Sequence, residues 1–551
     1  MSAFSIQHSA FSIQDDPPAQ LRRSVYLLLI VVGTGAMLGR VLAVDSVDKL
    51  ALERHLIDEI PNELEKREGE LRRKGLQGDP LKKNLAVVEE RLRQRAQLAR
   101  PFLSANDRSR WCTVRALVEK DMRVQGYPYA IDKVIQGSNW DTIDMVKHDG
   151  HLYSSKPPLF PTLMAAEYWV IYRLTGMSLS TNPYWVGRLM LVTINVIPLL
   201  VYFLLLARLV ERLGQSDWGR LFVMAAAVFG TFLTTFAVTI NNHLPAAVSA
   251  LVALYAAVRI WFDGEQRLRY FVLAGLFAAF TVANELPALA LFAAVSTALL
   301  WKVPRQTILA YVPAATVVAA GFFGTNWIAH RSLRPPYMHC GPASKRAPDA
   351  ADPQAEQPWR PTKLAEVNLD ELDQSTDRHD WYDYYYVRNG MVYRSHWVQR
   401  TGIDRGEPLL HIYALHVLVG HHGIFSLTPV WLLSAVGAAV WLRQRRDGRL
   451  RELALLIAAL SVVCVVFHLM RSQVDRNYGG LASGFRWMFW FAPLWLLVMV
   501  PAADAMARRW WTRLIALLML AVSVLSASYP TWNPWTLPWI MDYLQYLNLI
   551  G

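Results

Sequence analysis

The chain has 551 residues, of which 53% are hydrophobic and 18% are charged, and its formal net charge is +12. Soluble globular proteins carry about 25% charged residues, and the apolar excess here falls in blocks of roughly 17–25 residues, enough to cross about 30 Å of hydrocarbon. The composition therefore excludes a soluble globular protein. It also makes nucleic acid an unsuitable partner, because loop arginines at the cytoplasmic face of a membrane protein account for the positive charge.

The apolar blocks predict an all-α polytopic membrane protein with about eleven transmembrane helices and with interfacial helices in a large first external loop. Arg22 and Arg23 precede the first block, so the positive-inside rule places the N-terminus in the cytoplasm. The predicted segments are a cytoplasmic tail (1–23), a first transmembrane helix (24–43), an external charged hairpin (44–103), an external loop with juxtamembrane helices (104–184), a six-helix transmembrane bundle (185–328), a second large external loop (329–422), four transmembrane helices (423–528) and an external interfacial tail (529–551).

The charged segment 44–103 carries Leu, Ile and Val at helical spacing, and Gly75, Gly78 and Pro80 interrupt the pattern. This spacing predicts two amphipathic helices joined as a hairpin. We interpret the hairpin as a solvated spacer or a self-association arm. A lid that gates access of a substrate is the alternative.

The motif His148–Phe160, with the sequence HDGHLYSSKPPLF, leads from the polar loop into apolar sequence. Proline disfavours a helical residue before it and fits the first helical turn, so Pro157 and Pro158 predict a helix that begins just after Lys156. The free N–H groups of a helix start favour an anion. Lys156 is therefore a candidate phosphate contact, and a lysine that snorkels to the membrane surface is the alternative.

The helix that follows this motif is predicted to lie in the membrane interface. If it crossed the membrane, every later loop would change side. Basic clusters such as Arg208–Arg220 and Arg443–Arg451 would then lie outside, against the positive-inside rule. The interfacial placement keeps these clusters cytoplasmic and puts the motif at the external surface.

Asp107 and Asp144 add carboxylates to the same loop, and Arg110 and Tyr153 add hydrogen-bond donors. A carboxylate can act as a general base on a hydroxyl, and Lys156 can offset the charge of a departing phosphate. The combination indicates group transfer from a phosphate-bearing donor. The sequence has no Gly-rich phosphate loop between a strand and a helix, so the donor is expected to be a lipid phosphate. Capping of a helix is the alternative role of Asp107. Asp141 and Asp144 are rival candidates for the catalytic carboxylate, with a structural role in a surface turn as their alternative.

Two motifs resemble the GT-C type membrane glycosyltransferases, the superfamily of protein O-mannosyltransferases and aminoarabinose transferases. Asp107-Arg108-Ser109-Arg110-Trp111 is similar to the external D-E-x-R-Y of that superfamily, and Tyr153–Leu159, YSSKPPL, is similar to its K-P-P-L motif. The resemblance covers about residues 104–330 and implies that Asp107 is the catalytic carboxylate and Lys156 a phosphate contact. Arg108 stands where the superfamily often has Glu, so an acidic pair is missing. We predict no metal site and no cofactor.

Further candidates lie later in the chain, at predicted external ends of transmembrane helices. Asn242 and His243 are candidate contacts for a sugar or a phosphate, with helix capping as the alternative. Arg486 is a candidate for a second oxygen of the lipid phosphate. Glu285 is an ionisable residue in an apolar stretch, which is a functional suspect by default.

These observations together predict a glycosyltransferase of the cell inner membrane with its active site on the periplasmic or external face. It would move a sugar from a polyprenyl-phosphate donor to the hydroxyl or amine of an unidentified acceptor, with inversion at the anomeric carbon. The expected partners are the lipid-linked donor and the membrane. A transporter or flippase for a lipid-linked sugar is the alternative, and a non-catalytic assembly protein is a third possibility.

Overall fold

A computed structural model of the chain describes residues 17–43, 60–96, 102–137, 140–345, 360–444, 447–530 and 533–549. Most of these residues are helical. The principal helices are α1 (Pro17–Ala43), α2 (Ile60–Arg73), α3 (Gly78–Ala96), α4 (Ala105–Val118), α5 (Leu159–Thr175), α6 (Pro183–Leu213), α7 (Asp217–Val238), α8 (His243–Asp263), α9 (Leu268–Asn284), α10 (Leu286–Lys302), α11 (Pro304–His330), α12 (Leu410–Leu418), α13 (Trp431–Arg443), α14 (Gly448–Leu469), α15 (Arg486–Met506), α16 (Trp510–Ser528) and α17 (Trp539–Tyr546). Short helices cover Pro342–Lys345, Leu369–Gln374 and Ile424–Leu427.

The chain is a multi-pass membrane protein. Within the described residues, eight helices are long and apolar enough to cross a membrane. These are α1, α6, α7, α8, α11, α14, α15 and α16. Three further apolar helices, α9, α10 and α13, are shorter but coincide with predicted spans. The all-α membrane fold is confirmed, and the total of eleven spans stays a prediction.

The boundaries of the N-terminal region differ from the predicted ones. Helix α1 begins at Pro17, seven residues before the predicted start of the first span at residue 24. Arg22 therefore lies inside the helix, where it pairs with Glu211 and Asp217. Arg22 is buried while Glu211 and Asp217 stay partly exposed, so these two carboxylates provide the ionic partners that a buried arginine needs. The predicted hairpin is present as α2 and α3, while 44–59 and 97–101 lie outside the described residues.

Helices α7, α8 and α15 form the centre of the bundle. The most apolar stretch is 83% buried in α7 and 72% buried in α8 and in α15, against 28% for α1 and 22% for α16. Close approach of helix backbones depends on small residues in such bundles. At Gly437 of α13, for example, an added Cβ would overlap the carbonyl oxygen of Val498 in α15. Helices α1 and α16 keep apolar surfaces that suit contact with lipid.

Two small β-sheets stand at one end of the bundle. Strands β1 (Met145–His148) and β2 (His151–Ser154) form an antiparallel hairpin, and its turn at Asp149–Gly150 has positive φ at both residues, as a two-residue hairpin requires. A second sheet has the strand order β3 (Thr362–Lys363), β5 (Met391–Arg394), β4 (Tyr385–Arg388). The backbone N–H of Lys147 donates to the carbonyl of Trp381 at 2.9 Å, which joins the two segments.

Helix α5 begins at Leu159, directly after the two prolines, as predicted. It packs against α4 and is not among the helices that are long and apolar enough to span. Its position in the membrane interface stays a prediction. The packing of α5 on α4 nevertheless matters for the site, because it brings the end of strand β2 against the first turns of α4.

Candidate functional site

Strand β2 is fastened to helix α4 by a chain of serine hydroxyls. Ser109 of α4 donates to the carbonyl of Asp144 at 2.6 Å, and its oxygen lies 2.6 Å from the hydroxyl oxygen of Ser154. The backbone N–H of Lys156 donates to the same Ser154 oxygen at 3.2 Å. All these side chains except that of Lys156 are buried. The YSSK part of the motif is therefore held at a fixed place on α4.

Lys156 pairs with Asp144 in this setting. Its Nζ lies 2.9 Å from Oδ1 of Asp144, and both side chains are largely shielded from solvent. Burial lowers the pKa of Lys156, and the neighbouring Asp144 carboxylate partly offsets that effect. The ammonium keeps further N–H donors beyond the one that Asp144 uses. Lys156 can therefore bind a second anion without losing its structural partner.

Asp107 lies in the first turn of α4, where the Ser104 hydroxyl caps the helix by accepting from the Asp107 N–H at 3.1 Å. Oδ1 of Asp107 accepts from the indole N–H of Trp111 at 2.8 Å and from the backbone N–H of Ile240 at 3.2 Å. Asp107 therefore does not cap the helix with its own side chain. Its carboxylate instead ties α4 to the segment that leads into α8.

The carboxyl group of Asp107 is only 1% exposed, and burial raises its pKa to about 6. Hydrogen bonding from Thr239 and the nearby Arg110 guanidinium oppose this effect but do not cancel it. A pKa near the working pH is what a general base requires, because the group is then ionised yet still basic. The environment of Asp107 is compatible with acid–base chemistry.

Arg110 begins a chain of polar contacts that crosses to two other helices. Its Nη2 donates to Oδ1 of Asn242 at 2.8 Å, and the amide of Asn242 donates to Oε1 of Glu285 at 2.7 Å. Glu285 also contacts Nδ1 of His243, and Nε2 of His243 lies 3.3 Å from Nη1 of Arg486. We call these five residues the polar network. It connects α4, the start of α8, the end of α9 and the start of α15.

Arg486 is oriented by groups other than carboxylates. Its Nε donates to the carbonyl of Gly479 at 2.5 Å, and its guanidinium lies 4.8 Å from the ring centre of Trp535. Gly479 and Gly480 have φ of +92° and +75°, which glycine adopts without strain. Gly479 also leaves room for the side chain, since an added Cβ would come within 3.2 Å of the Arg486 Cγ.

Two of the three cations here lack an ionic partner. Within the described residues, neither Arg110 nor Arg486 forms a salt bridge, and Nη2 of Arg486 makes no hydrogen bond. Burial lowers the pKa of Arg110 to about 10; the carboxylates of Asp144 and Asp107 oppose this decrease, and the positive charge of Arg486 adds to it. Buried cations that face one another are costly unless an anion joins them. The arrangement is suited to an anionic ligand such as a phosphate.

The structure brings together seven of the eight residues predicted from the sequence. Electrostatic contact links the polar network to Asp107 and to the Lys156–Asp144 pair. The seven are Asp107, Arg110, Asp144, Lys156, Asn242, His243 and Arg486. They come from parts of the sequence that are hundreds of positions apart, and they meet at the end of the bundle that carries the two β-sheets.

Tyr153 is the exception. Side chains alternate along a strand, so Tyr153 points away from the face of β2 that carries Ser154. Its ring stacks on His148 at 4.2 Å, His148 stacks on Trp381 at 4.1 Å, and Trp381 stacks on His339 at 3.6 Å. We call these four rings the aromatic stack. Tyr153 is therefore grouped with these rings and not with the other seven residues, and its role in substrate binding stays a prediction.

Glu285 is part of the polar network but is not one of the eight predicted site residues. The sequence marks it only as an ionisable residue in an apolar stretch. Its side chain is 6% exposed and accepts from two neighbours. A carboxylate next to an apolar helix is expensive unless it has such partners. Thr239 and Trp535 also contact site residues, and no pattern in the sequence marks either of them.

Comparisons of this chain with models of protein families, with curated proteins and with solved structures find no match.

Proposed function

We propose that the protein is a membrane glycosyltransferase that moves a sugar from a polyprenyl-phosphate donor to the hydroxyl or amine of an acceptor. The observation that carries this proposal is the convergence of Arg110, Lys156 and Arg486 beside a buried carboxylate. Three cations suit a lipid-linked phosphate. A carboxylate whose pKa is about 6 suits removal of a proton from the acceptor.

In the proposed reaction, Lys156, Arg110 and Arg486 hold the phosphate of the donor. Asp107 takes the proton of the acceptor, whose oxygen or nitrogen attacks the anomeric carbon. The bond between that carbon and the phosphate oxygen breaks, and its electron pair stays on the phosphate. The cations stabilise the charge that develops there. A single displacement of this kind inverts the configuration at the anomeric carbon.

Burial of the site keeps water away from the proposed reaction. Asp107 and Arg110 are 1% and 3% exposed, so bulk water has little access to the carboxylate. Exclusion of water suppresses hydrolysis of an activated donor and strengthens the electrostatic contacts inside the site. The acceptor group therefore reacts inside the protein and not at its open surface.

The decisive experiment measures transfer by the full-length protein in proteoliposomes with a panel of radiolabelled polyprenyl-phosphate sugars. Asp107→Asn is expected to lower the rate by about 10²–10⁴-fold. Asp121→Asn, an exposed carboxylate beyond the same helix, is the matched control and should retain activity. Binding of the donor should survive in Asp107→Asn, because the three cations remain.

Two outcomes would contradict the proposal. Full transfer by Asp107→Asn would exclude Asp107 as the base. Movement of the intact donor across the bilayer, without release of free polyprenyl phosphate, would instead identify a transporter. Measuring both the glycosylated product and the released lipid phosphate separates these outcomes.

A further inference from the structure

A cavity lies toward the end of the bundle opposite to the polar network. It is bounded by helices α8, α10 and α14, is open on one side and has a volume of about 150 Å³. Its walls are mainly apolar and include Val258, Val295, Ala298 and Leu453. An apolar cavity of this size accepts hydrocarbon. Because α8 and α14 are long and apolar enough to cross a membrane, the chain of a lipid is the hydrocarbon closest at hand.

Two cations stand together at the mouth of this cavity. Nζ of Lys302 donates to the carbonyl of Trp261 at 2.9 Å, and Nη1 of Arg449 donates to the carbonyl of Phe262 at 2.6 Å. These carbonyls are consecutive in the last turn of α8, so the two positive charges are adjacent. Each side chain uses one donor in this contact, and an ammonium has three and a guanidinium five.

The rim contains one carboxylate beside the two cations. Within the described ranges, neither Lys302 nor Arg449 forms a salt bridge, and Glu452, which lines the same cavity, accepts from the indole N–H of Trp261 at 2.7 Å. With two cations and one carboxylate, the rim keeps a net positive charge. Lys302 also lies over the ring of Trp261, 4.2 Å from its centre, and Trp301 beside it is 89% exposed. Exposed tryptophan and lysine at helix ends are typical of the level of lipid head groups.

We propose that this rim and cavity form a binding site for an anionic glycerophospholipid. The phosphate lies between Lys302 and Arg449, and one acyl chain enters the apolar cavity. A basic pocket between membrane helices is a recurrent site for acidic head groups. A zwitterionic lipid would bring its own cationic group against the two cations, so the site prefers a head group with net negative charge. The inference does not depend on the proposed glycosyl transfer.

The test uses the full-length protein in a neutral detergent, titrated with phosphatidylglycerol or phosphatidylcholine. Native mass spectrometry counts retained lipids, and thermal unfolding measures stabilisation. The wild type is expected to retain one phosphatidylglycerol molecule with a preference of about tenfold or more over phosphatidylcholine. Lys302→Gln with Arg449→Gln should abolish the preference. The control Arg508→Gln with Arg509→Gln removes two exposed arginines after α15, at the same end of the bundle, and should preserve it.

A second variant tests the cavity independently of the rim. Ala298→Phe fills the apolar space and leaves both cations in place, so it should weaken retention of phosphatidylglycerol. Inorganic phosphate should not stabilise the wild type, because it lacks the acyl chain. Equal retention of the two lipids by the wild type, or an undiminished preference in the rim variant, would overturn the proposal. Stabilisation by phosphate alone, or an Ala298→Phe protein that binds as the wild type does, would also overturn it.

Discussion

The polar network and the aromatic stack are two clusters near the same end of the bundle, and they are built from different interactions. The network joins charged and amide groups through hydrogen bonds, and two of its cations lack an ionic partner in the described part of the chain. The stack joins four rings at centre distances of 3.6–4.2 Å. Strand β2 contributes Tyr153 to the stack and Ser154, on its other face, to the anchoring of the site.

From this difference we expect the network to serve the proposed reaction and the stack to stabilise the fold. Stacked rings gain stability from contact and from removal of apolar surface from water, and they need no ligand. Buried cations without ionic partners carry a cost that an anion can offset. Substitutions in the network, in Asp107 and in the Lys156–Asp144 pair should therefore act mainly on binding and rate, whereas substitutions in the stack should act mainly on stability. The following changes test that division.

The largest effect is expected from Lys156→Ala. It removes the proposed phosphate contact and leaves the Asp144 carboxylate without its cation, so transfer should fall by about 10²–10³-fold. Breaking such a buried pair should also cost about 3–5 kcal/mol of stability. Lys147→Ala is the control, because Lys147 pairs with the more exposed Asp373. Rates in proteoliposomes and thermal unfolding report the two effects.

The double variant Lys156→Met with Asp144→Asn distinguishes the two roles of Lys156. It removes both charges of the pair, so much of the lost stability should return while transfer stays low. If transfer recovered together with stability, Lys156 would be a structural residue only, and its proposed contact with the phosphate would be excluded.

Arg486→Lys is expected to lower transfer by about 10–100-fold. A lysine keeps the positive charge, but its single ammonium group cannot both donate to the Gly479 carbonyl and lie beside Nε2 of His243, as the planar guanidinium does. Arg476→Lys is the matched control, since Arg476 contacts only backbone carbonyls of its own loop and of the segment at Glu407–Pro408. The measurement is the concentration of donor that gives half-maximal transfer. An unchanged value would show that Arg486 does not contact the donor.

The pH dependence of transfer tests the assignment of Asp107. Burial raises its pKa to about 6, so the ionised form that acts as a base declines below that pH. Each further unit of acidification should lower the rate about tenfold. The same upward shift means that protonation favours the folded state, so this group adds stability as the pH falls from about 6 toward 4. We therefore expect the transfer rate to fall between about pH 6 and pH 4 without a loss of stability that could explain the fall.

Much of this arrangement could be predicted from the sequence, and the reasons differ between residues. The start of α5 follows from the two prolines, because their effect on the backbone is local. Asp107 and Lys156 follow from motifs. The pairing of Lys156 with Asp144, however, depends on how β2 docks on α4, and local pattern does not report that docking. The contact of Trp535 with Arg486 could not be predicted either, because it depends on how the C-terminal segment folds back on the start of α15.

Tyr153 shows the same limit most directly. Tyr153, Ser154 and Lys156 are close together in the sequence, so the motif groups them. In the β-hairpin, however, Tyr153 and Ser154 lie on opposite faces, because neighbouring side chains of a strand alternate. The short strands could not be anticipated within a fold that is otherwise helical, and so the orientation of Tyr153 could not be anticipated either.

Trp381→Ala should affect stability more than activity. It removes a ring that contacts both His148 and His339, and truncation of a packed aromatic side chain costs about 3–5 kcal/mol. Hydrogen exchange at Met145–His148 should become faster, because the backbone contact of Lys147 with residue 381 loses its packing. Transfer below the unfolding temperature should change by less than about threefold. If Trp381→Ala lost activity but kept its stability, the stack would have to be assigned to the active site.

The smallest effect is expected from Tyr153→Phe. This change keeps the ring that stacks on His148 and removes only the hydroxyl, which makes no hydrogen bond within the described residues. Stability should shift by less than about 0.5 kcal/mol and transfer should stay within about twofold of the wild type. Tyr153→Ala, by contrast, removes the ring and should destabilise the hairpin. If Tyr153→Phe lost transfer while it unfolded at the wild-type temperature, the hydroxyl would contact substrate. Tyr153 would then belong with Lys156, and the two faces of β2 would serve one site.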